Sequence, residues 1–198
     1  MVTLPVLGQD DSDLVGTLNV KAVEQFAGGE FKGCSLNFQV ATKDFAYRKG
    51  NLVVIDGSYN INLVKRANKT TAGILLKVGV LEMGKPKPEA PTFAYLKTSK
   101  ASTVKSVLSN EVSESPGYQI FVLSLDSPGV SVLTGMLDDG EVDIGFNRKV
   151  GGSDVLAKID LRVVESKFNS KGLERIRSDS VLTTLTSCVL KSFEALKQ

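Results

Sequence analysis

The stretch Cys34-Ser-Leu-Asn-Phe-Gln-Val40 alternates strictly between apolar and polar residues. Successive side chains of a β-strand point to opposite faces, so this period of two places one face in a core and the other toward solvent. The same alternation recurs in Tyr59–Leu63 and again in Val155–Val163. The chain is therefore predicted to be mainly β, with sheets that bury one face.

Turn-forming residues divide the first half of the chain. Asp56-Gly57 separates two apolar runs and predicts a hairpin turn, because type I′ turns need positive φ at both central residues. Three prolines fall within residues 84–91, which predicts an extended connector instead of a strand. In residues 102–110 the apolar positions have the i, i+3, i+4 spacing of one helix face, which predicts a short helix.

The second half contains four apolar or alternating runs, separated by segments rich in Gly, Pro and Asp. These runs are Tyr118–Leu125, Val130–Leu137, Val142–Phe146 and Val155–Val163. Short connections between such runs favour antiparallel neighbours. The second half is therefore predicted to be a four-stranded antiparallel meander, with Ser127-Pro-Gly129 as one of its turns.

The last segment, residues 179–197, follows a helical period, and Ser178 or Asp179 can cap it. Its apolar residues recur on one helix face: Val181, Leu182, Leu185, Cys188, Val189, Phe193 and Leu196. About ten strands and one terminal helix predict a single β-rich domain over residues 1–198. Its fold class is an antiparallel β-sandwich or open barrel with the C-terminal helix packed on it.

The composition excludes several function classes. The 198 residues include no histidine and no tryptophan, so His-dependent catalysis and His-containing metal sites cannot be built from this chain. No metal or cofactor is expected. The net charge of +2 and the low arginine content make nucleic acid an unlikely partner. No apolar run approaches the roughly 18 residues that a membrane span needs.

The two cysteines, Cys34 and Cys188, fall on the inward faces of a predicted strand and of the predicted terminal helix. Both can therefore reach one core, where they either form a disulfide or remain separate buried thiols. A disulfide predicts an oxidising compartment, which is periplasmic or secreted. The start of the chain, Met1–Pro5, has no signal-peptide pattern, so a cytoplasmic location is the alternative.

Two patterns could carry catalysis. One is a set of carboxylates that could serve a glycan hydrolase: Glu141, Asp143, Asp154 and Asp160. The other is Ser102-x-x-Lys105, which matches the spacing used by some serine acylases but lacks their companion motifs. Asp and Gly also favour hairpin turns for backbone reasons, and a serine often caps a helix, so structural roles account for both patterns.

The polar segment 147–154 is the strongest candidate for binding, because loops on rigid sheets commonly carry recognition. Its candidate residues are Asn147, Arg148, Lys149 and Asp154, and we expect an ion pair between Arg148 and Asp154 across the turn. The sequence thus predicts a non-enzymatic module that binds a protein or glycan through loops at one end of a β-sandwich. The alternatives are a carboxylate-based glycan hydrolase and a structural subunit of an assembly.

Overall fold

The computed structural model describes residues 11–66, 69–170 and 172–197, and within these ranges the chain is mainly β. Met1–Pro5, the segment that decides the prediction about a signal peptide, lies outside the described residues. Eleven described strands form antiparallel sheets, and the last described element is a C-terminal helix. The predicted fold class is confirmed.

Six strands form the largest sheet, in the spatial order β1 (Gly16–Ala27), β2 (Glu30–Asp44), β3 (Asn51–Arg66), β4 (Lys69–Glu82), β7 (Gln119–Leu123) and β6 (Val107–Val112). The second sheet has the order β5 (Phe93–Lys97), β8 (Glu141–Asn147) and β9 (Val155–Asp160). A hairpin consists of β10 (Val163–Asn169) and β11 (Gly172–Arg177), and the helices are α1 (Ser127–Asp139) and α2 (Ser180–Ala195). A short 3-10 turn, Asp11–Leu14, precedes β1.

The core lies between the inner face of the six-stranded sheet and a layer built from the second sheet and the helices. One continuous cluster of buried side chains joins these elements, and its fully buried members include Val40, Ile55, Leu76, Leu133, Ile144 and Ile159. Burial of each such side chain stabilises the fold by roughly 1.5–3 kcal/mol relative to leaving it exposed. The alternation at residues 34–40 therefore places one face of β2 in this core.

A disulfide links Cys34 in β2 to Cys188 in α2, with the two Cα atoms 5.8 Å apart. Both cysteines are buried, and the hydroxyl of Ser192 lies 3.4 Å from the Cys34 sulfur. Of the two arrangements that the sequence left open for the cysteines, the structure has the disulfide. It fastens the terminal helix onto the inner face of the largest sheet.

The predicted hairpin turn at Asp56-Gly57 is wrong, because both residues lie in the middle of β3. Gly57 has a packing role instead. A Cβ at this position would lie 2.8 Å from the Phe38 ring and 2.4 Å from the carbonyl oxygen of Lys77. The glycine is therefore required so that the phenylalanine on β2 and the backbone of β4 can approach β3 closely.

The predicted strand at Val130–Leu137 and its turn at Ser127-Pro-Gly129 are also wrong, because these residues form α1. The Asp126 side chain caps the helix by accepting a hydrogen bond from the Gly129 N–H at 2.9 Å. Proline is tolerated in the first helical turn, so the local sequence begins a helix. The predicted four-stranded meander is therefore not formed, and β8 and β9 are the part of it that pairs as neighbours. The last predicted strand is also interrupted, because a turn at residues 161–162 separates β9 from β10.

The short helix predicted for residues 102–110 is wrong as well. Thr103 is anchored to β5, since its hydroxyl accepts a hydrogen bond from the Leu96 N–H and its own N–H donates to the Leu96 carbonyl. This anchor holds residues 103–106 in a turn, and β6 begins at Val107. Ser102 and Lys105 therefore do not lie on a helix, as the acylase arrangement would require.

The connector at residues 84–91 contains no strand, as predicted, and one isolated bridge joins Glu89 to Val80. Among the described residues, no helix has the length and apolar character that crossing a bilayer would require.

We expect the double variant Cys34→Ala/Cys188→Ala to fold with a free energy of unfolding lower by about 5 kcal/mol. The reason is that the disulfide closes a loop with a sequence separation of 154 residues in the unfolded chain. Urea unfolding of wild type and variant measures the difference. The control is Ser192→Ala, which makes a similarly small side-chain change next to the disulfide and leaves the disulfide intact. A loss below about 1 kcal/mol would contradict the assigned role.

Candidate binding surface at the loop end

Three loops meet at one end of the sheets, and we call them together the loop end. They are residues 45–50 between β2 and β3, residues 83–92 between β4 and β5, and residues 148–154 between β8 and β9. The first loop joins two strands of the six-stranded sheet, the second crosses from that sheet to the second sheet, and the third joins two strands of the second sheet. An interaction between the sheets is therefore needed to fix their relative positions.

The Arg148 side chain supplies that interaction. Its Nε donates to Asp44 Oδ2 at 3.1 Å, and its Nη1 donates to Glu82 Oε1 and Glu89 Oε2, each at 2.8 Å. One guanidinium thus contacts the ends of β2 and β4 and the connector. The Arg148 side chain is 9% exposed and that of Asp44 is fully buried. Buried charges must be paired, so these contacts determine where the three loops lie.

A second layer of charge surrounds this contact on the solvent side. Arg48 donates to Glu82 and Glu89, and Lys85 forms ion pairs with the same two carboxylates at 3.0 and 2.5 Å. We call the six residues the Arg148 network: Asp44, Arg48, Glu82, Lys85, Glu89 and Arg148. Three cations face three carboxylates, so the network is electrically balanced.

The network lowers the pKa values of two of its carboxyl groups. Burial raises the pKa of Glu82, but hydrogen bonds from Lys85 and Arg48 and the charge of Arg148 together outweigh it, so this pKa lies below 4.5. The hydrogen bond from Lys85 is the main cause that lowers the pKa of Glu89. Both carboxylates are thus stabilised in their charged form.

Asp44 also organises the loop 45–50 directly. Its Oδ1 accepts a hydrogen bond from the Tyr47 N–H at 2.8 Å, and its carbonyl accepts from the N–H groups of Arg48 and Gly50. The Tyr47 hydroxyl in turn donates to the Ser153 carbonyl at 2.6 Å. The first loop is therefore fixed to the third by a hydrogen bond as well as by Arg148.

The expected ion pair between Arg148 and Asp154 does not form. Asp154 instead accepts hydrogen bonds from the Tyr95 hydroxyl at 2.9 Å and from the Asn147 amide at 3.2 Å. Burial, together with the hydrogen bond to Asp154, raises the pKa of Tyr95 to about 12. Arg148 points instead toward the fully buried Asp44 and the largely buried Glu82, which are distant in sequence, whereas Asp154 is exposed.

The four predicted binding residues therefore occupy two different environments. Asn147 and Arg148 are buried and position the loop, whereas Lys149 and Asp154 are exposed and available to a partner. Their role in binding stays a prediction. Residues of the other two loops were not in the predicted set, because nothing local in the sequence relates them to segment 147–154.

Each loop presents one large apolar side chain to solvent next to the network. Phe45, adjacent to Asp44, is 75% exposed; Met83, adjacent to Glu82, is 73% exposed; Val150, two residues after Arg148, is 91% exposed. Two residues span at most about 7 Å of chain, so all three lie close to the network. Because each of the three loops contributes one of them, these side chains are candidates for contact with a partner.

Each loop also carries one exposed lysine that has no ion-pair partner within the described residues. These lysines are Lys49, Lys87 and Lys149. A cavity of about 310 Å³ opens beside the Arg148 network, lined by the polar residues Arg48, Asn51 and Glu82 and the apolar residues Leu52, Val53 and Met83. The loop end therefore combines apolar tips, uncompensated positive charge and a recess.

The candidate catalytic carboxylates are placed differently. Glu141 and Asp160 lie opposite each other on β8 and β9, but they pair with Lys158 and Arg177, each at 2.5 Å. The cavity beside Glu141 and Asp143 has a volume of about 30 Å³, which suits a water molecule and not a sugar ring. Asp154 lies at the other end of β9, about 20 Å from Asp160 along the strand. This geometry does not favour a hydrolase.

Comparisons of the chain with protein-family models, with curated protein sequences and with solved structures found no match. The inference about function therefore uses the geometry of this chain alone.

We expect Arg148→Ala to lower the free energy of unfolding by about 3–5 kcal/mol, because it leaves the buried Asp44 carboxylate without its charge partner. Lys149→Ala, which removes the exposed neighbouring cation, should change it by no more than about 0.5 kcal/mol. Urea unfolding at neutral pH compares the two variants. Equal small losses would show that the network does not hold the loop end.

The network also predicts a pH dependence of stability. Because the folded-state pKa values of Glu82 and Glu89 lie below 4.5, these groups stabilise the fold above that pH and lose their contribution as the pH falls below it. In Glu82→Gln/Glu89→Gln this contribution is absent. The stability difference between wild type and variant should therefore shrink between about pH 5 and pH 3.

Urea unfolding at several pH values across that interval measures the difference. Glu114→Gln/Glu194→Gln, which removes two exposed carboxylates that form no ion pair among the described residues, is the control for the change in net charge. A wild-type advantage that is independent of pH would contradict the prediction.

Proposed function

We propose that this protein is a non-enzymatic binding module that recognises a protein partner through the loop end. One observation carries the proposal: each of the three loops presents an exposed apolar tip and a lysine that has no ion-pair partner among the described residues. The loops surround one ion network whose centre, Arg148 and Asp44, is buried. A surface held in place before binding loses little conformational entropy when a partner docks, and this favours recognition.

The chemistry of the loop end defines the partner. Phenylalanine and methionine are enriched at the centres of protein interfaces, so Phe45 and Met83 suit an apolar depression on the partner. The unpaired lysines would surround this contact and attract an acidic rim. A glycan would instead be recognised mainly by exposed amide and hydroxyl groups, whereas the three loops contain no Asn or Gln and the Asn147 amide at the end of β8 is buried.

The disulfide supports a location in an oxidising compartment. Disulfides persist in the periplasm and outside the cell and are rare in the cytoplasm of most organisms. Cys34 and Cys188 are both buried, as is usual for a structural disulfide and not for a redox-active one. We therefore place the acidic protein partner in the periplasm or the extracellular space as part of the same proposal.

We expect Phe45→Ser/Met83→Ser/Val150→Ser to lose capture of the partner, because it removes the apolar contact and leaves the network intact. The matched control is Phe26→Ser/Phe168→Ser/Leu190→Ser, which removes three exposed apolar side chains elsewhere. Immobilised wild type and both variants are exposed to periplasmic and secreted proteins of the source organism. The captured protein is identified by mass spectrometry, and its binding is then measured with purified components.

Loss of binding in the loop-end variant but not in the control, together with weaker binding at high salt, supports the proposal. Charge reversal in Lys49→Glu/Lys87→Glu/Lys149→Glu should weaken binding more than reversal of Lys21, Lys97 and Lys197. Equal binding by both apolar variants would overturn the proposal. Binding of the wild type to anionic phosphatidylglycerol vesicles or to a glycan array, without a protein partner, would also overturn it.

A further inference from the structure

The face of the six-stranded sheet that points away from the core, which we call the outer face, carries many amide side chains. Leu36, Phe38 and Val40 of β2 are buried in the core, so the residues between them lie on the outer face. Six of the fourteen Asn and Gln residues of the chain lie on the outer face of β1, β2 and β3: Asn19, Gln25, Asn37, Gln39, Asn60 and Asn62. Asparagine is depleted in strands, so strand propensity does not account for these amides.

Hydrogen bonds between strands hold these amides in place. Asn19 Nδ2 donates to Gln39 Oε1 at 2.7 Å. Gln25 Nε2 donates to Asn60 Oδ1 at 3.3 Å, and Asn60 Nδ2 in turn donates to Ser58 Oγ at 2.9 Å. An amide group has two N–H donors and a carbonyl oxygen with two lone pairs, so these groups keep further donors and acceptors for a ligand. Because the side chains are already ordered, their contact with a ligand costs little conformational entropy.

A cavity opens on the outer face beside β4, where the turn between β6 and β7 folds over the sheet. The Tyr118 ring packs so closely on Gly79 that a Cβ at Gly79 would lie 2.7 Å from it. The Tyr118 hydroxyl donates to Asp56. Lys77 Nζ donates to Ser115 Oγ at 2.7 Å. These contacts fix the turn as one wall of a cavity of about 360 Å³, which we call the outer-face cavity. Ligand pockets usually have volumes of roughly 300–1,000 Å³.

The outer-face cavity is continuous with the amide-rich part of the sheet. Asn37 of β2 and Ser58 of β3 both line it. The register places Lys77 beside Ser58, Ser58 beside Asn37, and Asn37 beside Lys21 of β1, so one polar row crosses four strands. At about 4.8 Å between neighbouring strands, this row extends for roughly 14 Å. A ligand that fills the cavity can therefore continue across β2 and β1.

The lining of the outer-face cavity favours a neutral ligand with many hydroxyl groups. It contains one carboxylate, Asp56, and one ammonium group, Lys77, so its charges balance. The other polar side chains of the lining supply hydroxyl and amide groups: Ser58, Ser115, Tyr118 and Asn37. None of the described lining residues is Val, Leu, Ile or Met. A sugar hydroxyl both donates and accepts hydrogen bonds, as these hydroxyl and amide groups do.

Other classes of ligand fit this surface less well. The centre of a protein interface is usually apolar, whereas the lining of this cavity is mainly polar. A nucleic acid requires several cations to neutralise its phosphates, whereas the single cation of the cavity is balanced by Asp56. A neutral ligand that forms many hydrogen bonds is therefore favoured over both.

We propose that the outer face binds a neutral oligosaccharide, with one sugar ring in the outer-face cavity and the following rings over the amides of β2 and β1. The Asn37 amide contacts the ring in the cavity, and Gln39 and Asn19 contact the rings beyond it. The site shares no residue with the loop end, so it adds a second binding activity to the proposed capture of a protein partner.

The experiment screens wild type on an array of neutral oligosaccharides of glucose, galactose, mannose, xylose and N-acetylglucosamine, and then measures the tightest one by titration calorimetry. The outer-face variant is Asn37→Ala/Gln39→Ala/Asn60→Ala. The control is Asn110→Ala/Gln119→Ala/Asn169→Ala, which removes three amides elsewhere. Urea unfolding first compares both variants with wild type. We expect the outer-face variant to bind roughly tenfold or more weakly, because three hydrogen-bonding side chains are lost, and the control to bind like wild type.

Nuclear magnetic resonance of ¹⁵N-labelled wild type locates the site without any substitution. The oligosaccharide should shift the side-chain amide signals of Asn37, Gln39 and Asn60 and leave those of Asn110 and Asn169 unchanged. Wild type that binds none of the neutral oligosaccharides would overturn the proposal, as would equal binding by the two variants.

The loop-end variant Phe45→Ser/Met83→Ser/Val150→Ser separates this proposal from the proposed function. It should bind the oligosaccharide like wild type, whereas the outer-face variant should still capture the protein partner. Loss of oligosaccharide binding in the loop-end variant would place the glycan at the loop end and overturn the proposal. Tighter binding of sulfated oligosaccharides that is abolished by high salt would show a charged ligand and would also overturn it.

Discussion

The arrangement of the loop end depends on one buried guanidinium. Arg148 enters from the second sheet and contacts carboxylates at the ends of β2 and β4 and in the connector, and the fully buried Asp44 has no other cation within ion-pair distance in the described part of the chain. A buried ion pair often adds little net stability, since desolvation offsets the attraction. The Arg148–Asp44 pair instead determines where the loops lie. Other arrangements of the loops would leave buried charge unpaired, so one arrangement is selected.

Sequence patterns predicted the parts of the fold that depend on local periodicity. The alternation at residues 34–40 and the helical stripe ending the chain identified inward faces, and these faces placed Cys34 and Cys188 within reach of one core, where the structure has a disulfide. The errors arose where two physical causes give the same local signal. Gly57 resembles a turn residue but makes space for Phe38, a neighbour on another strand. Val130–Leu137 is a short apolar run of the kind that strands also have, yet the Asp126 cap and the proline in the first turn favour the helix.

The candidate site could be predicted only in part, for the same reason. Segment 147–154 was identified because its polar residues are close together in the sequence, and it contains one of the three loops. The partners of Arg148 lie 104, 66 and 59 residues away along the chain, so no local pattern connects them. Phe45 and Met83 are ordinary apolar residues in the sequence. Their exposure follows from strands that end beside the network, which is a property of the assembled sheets.

Two long-range links of different kinds hold strand β2 in place. Cys34, near the start of β2, is covalently bound to α2, and Asp44, at the end of β2, is bound to Arg148. The two residues lie about 33 Å apart along the strand, at 3.3 Å per residue. Between them the strand is held by apolar packing. The covalent link does not respond to pH, whereas the ion network weakens as its carboxylates are protonated. Acidification should therefore loosen the loop end while the disulfide end of β2 stays packed.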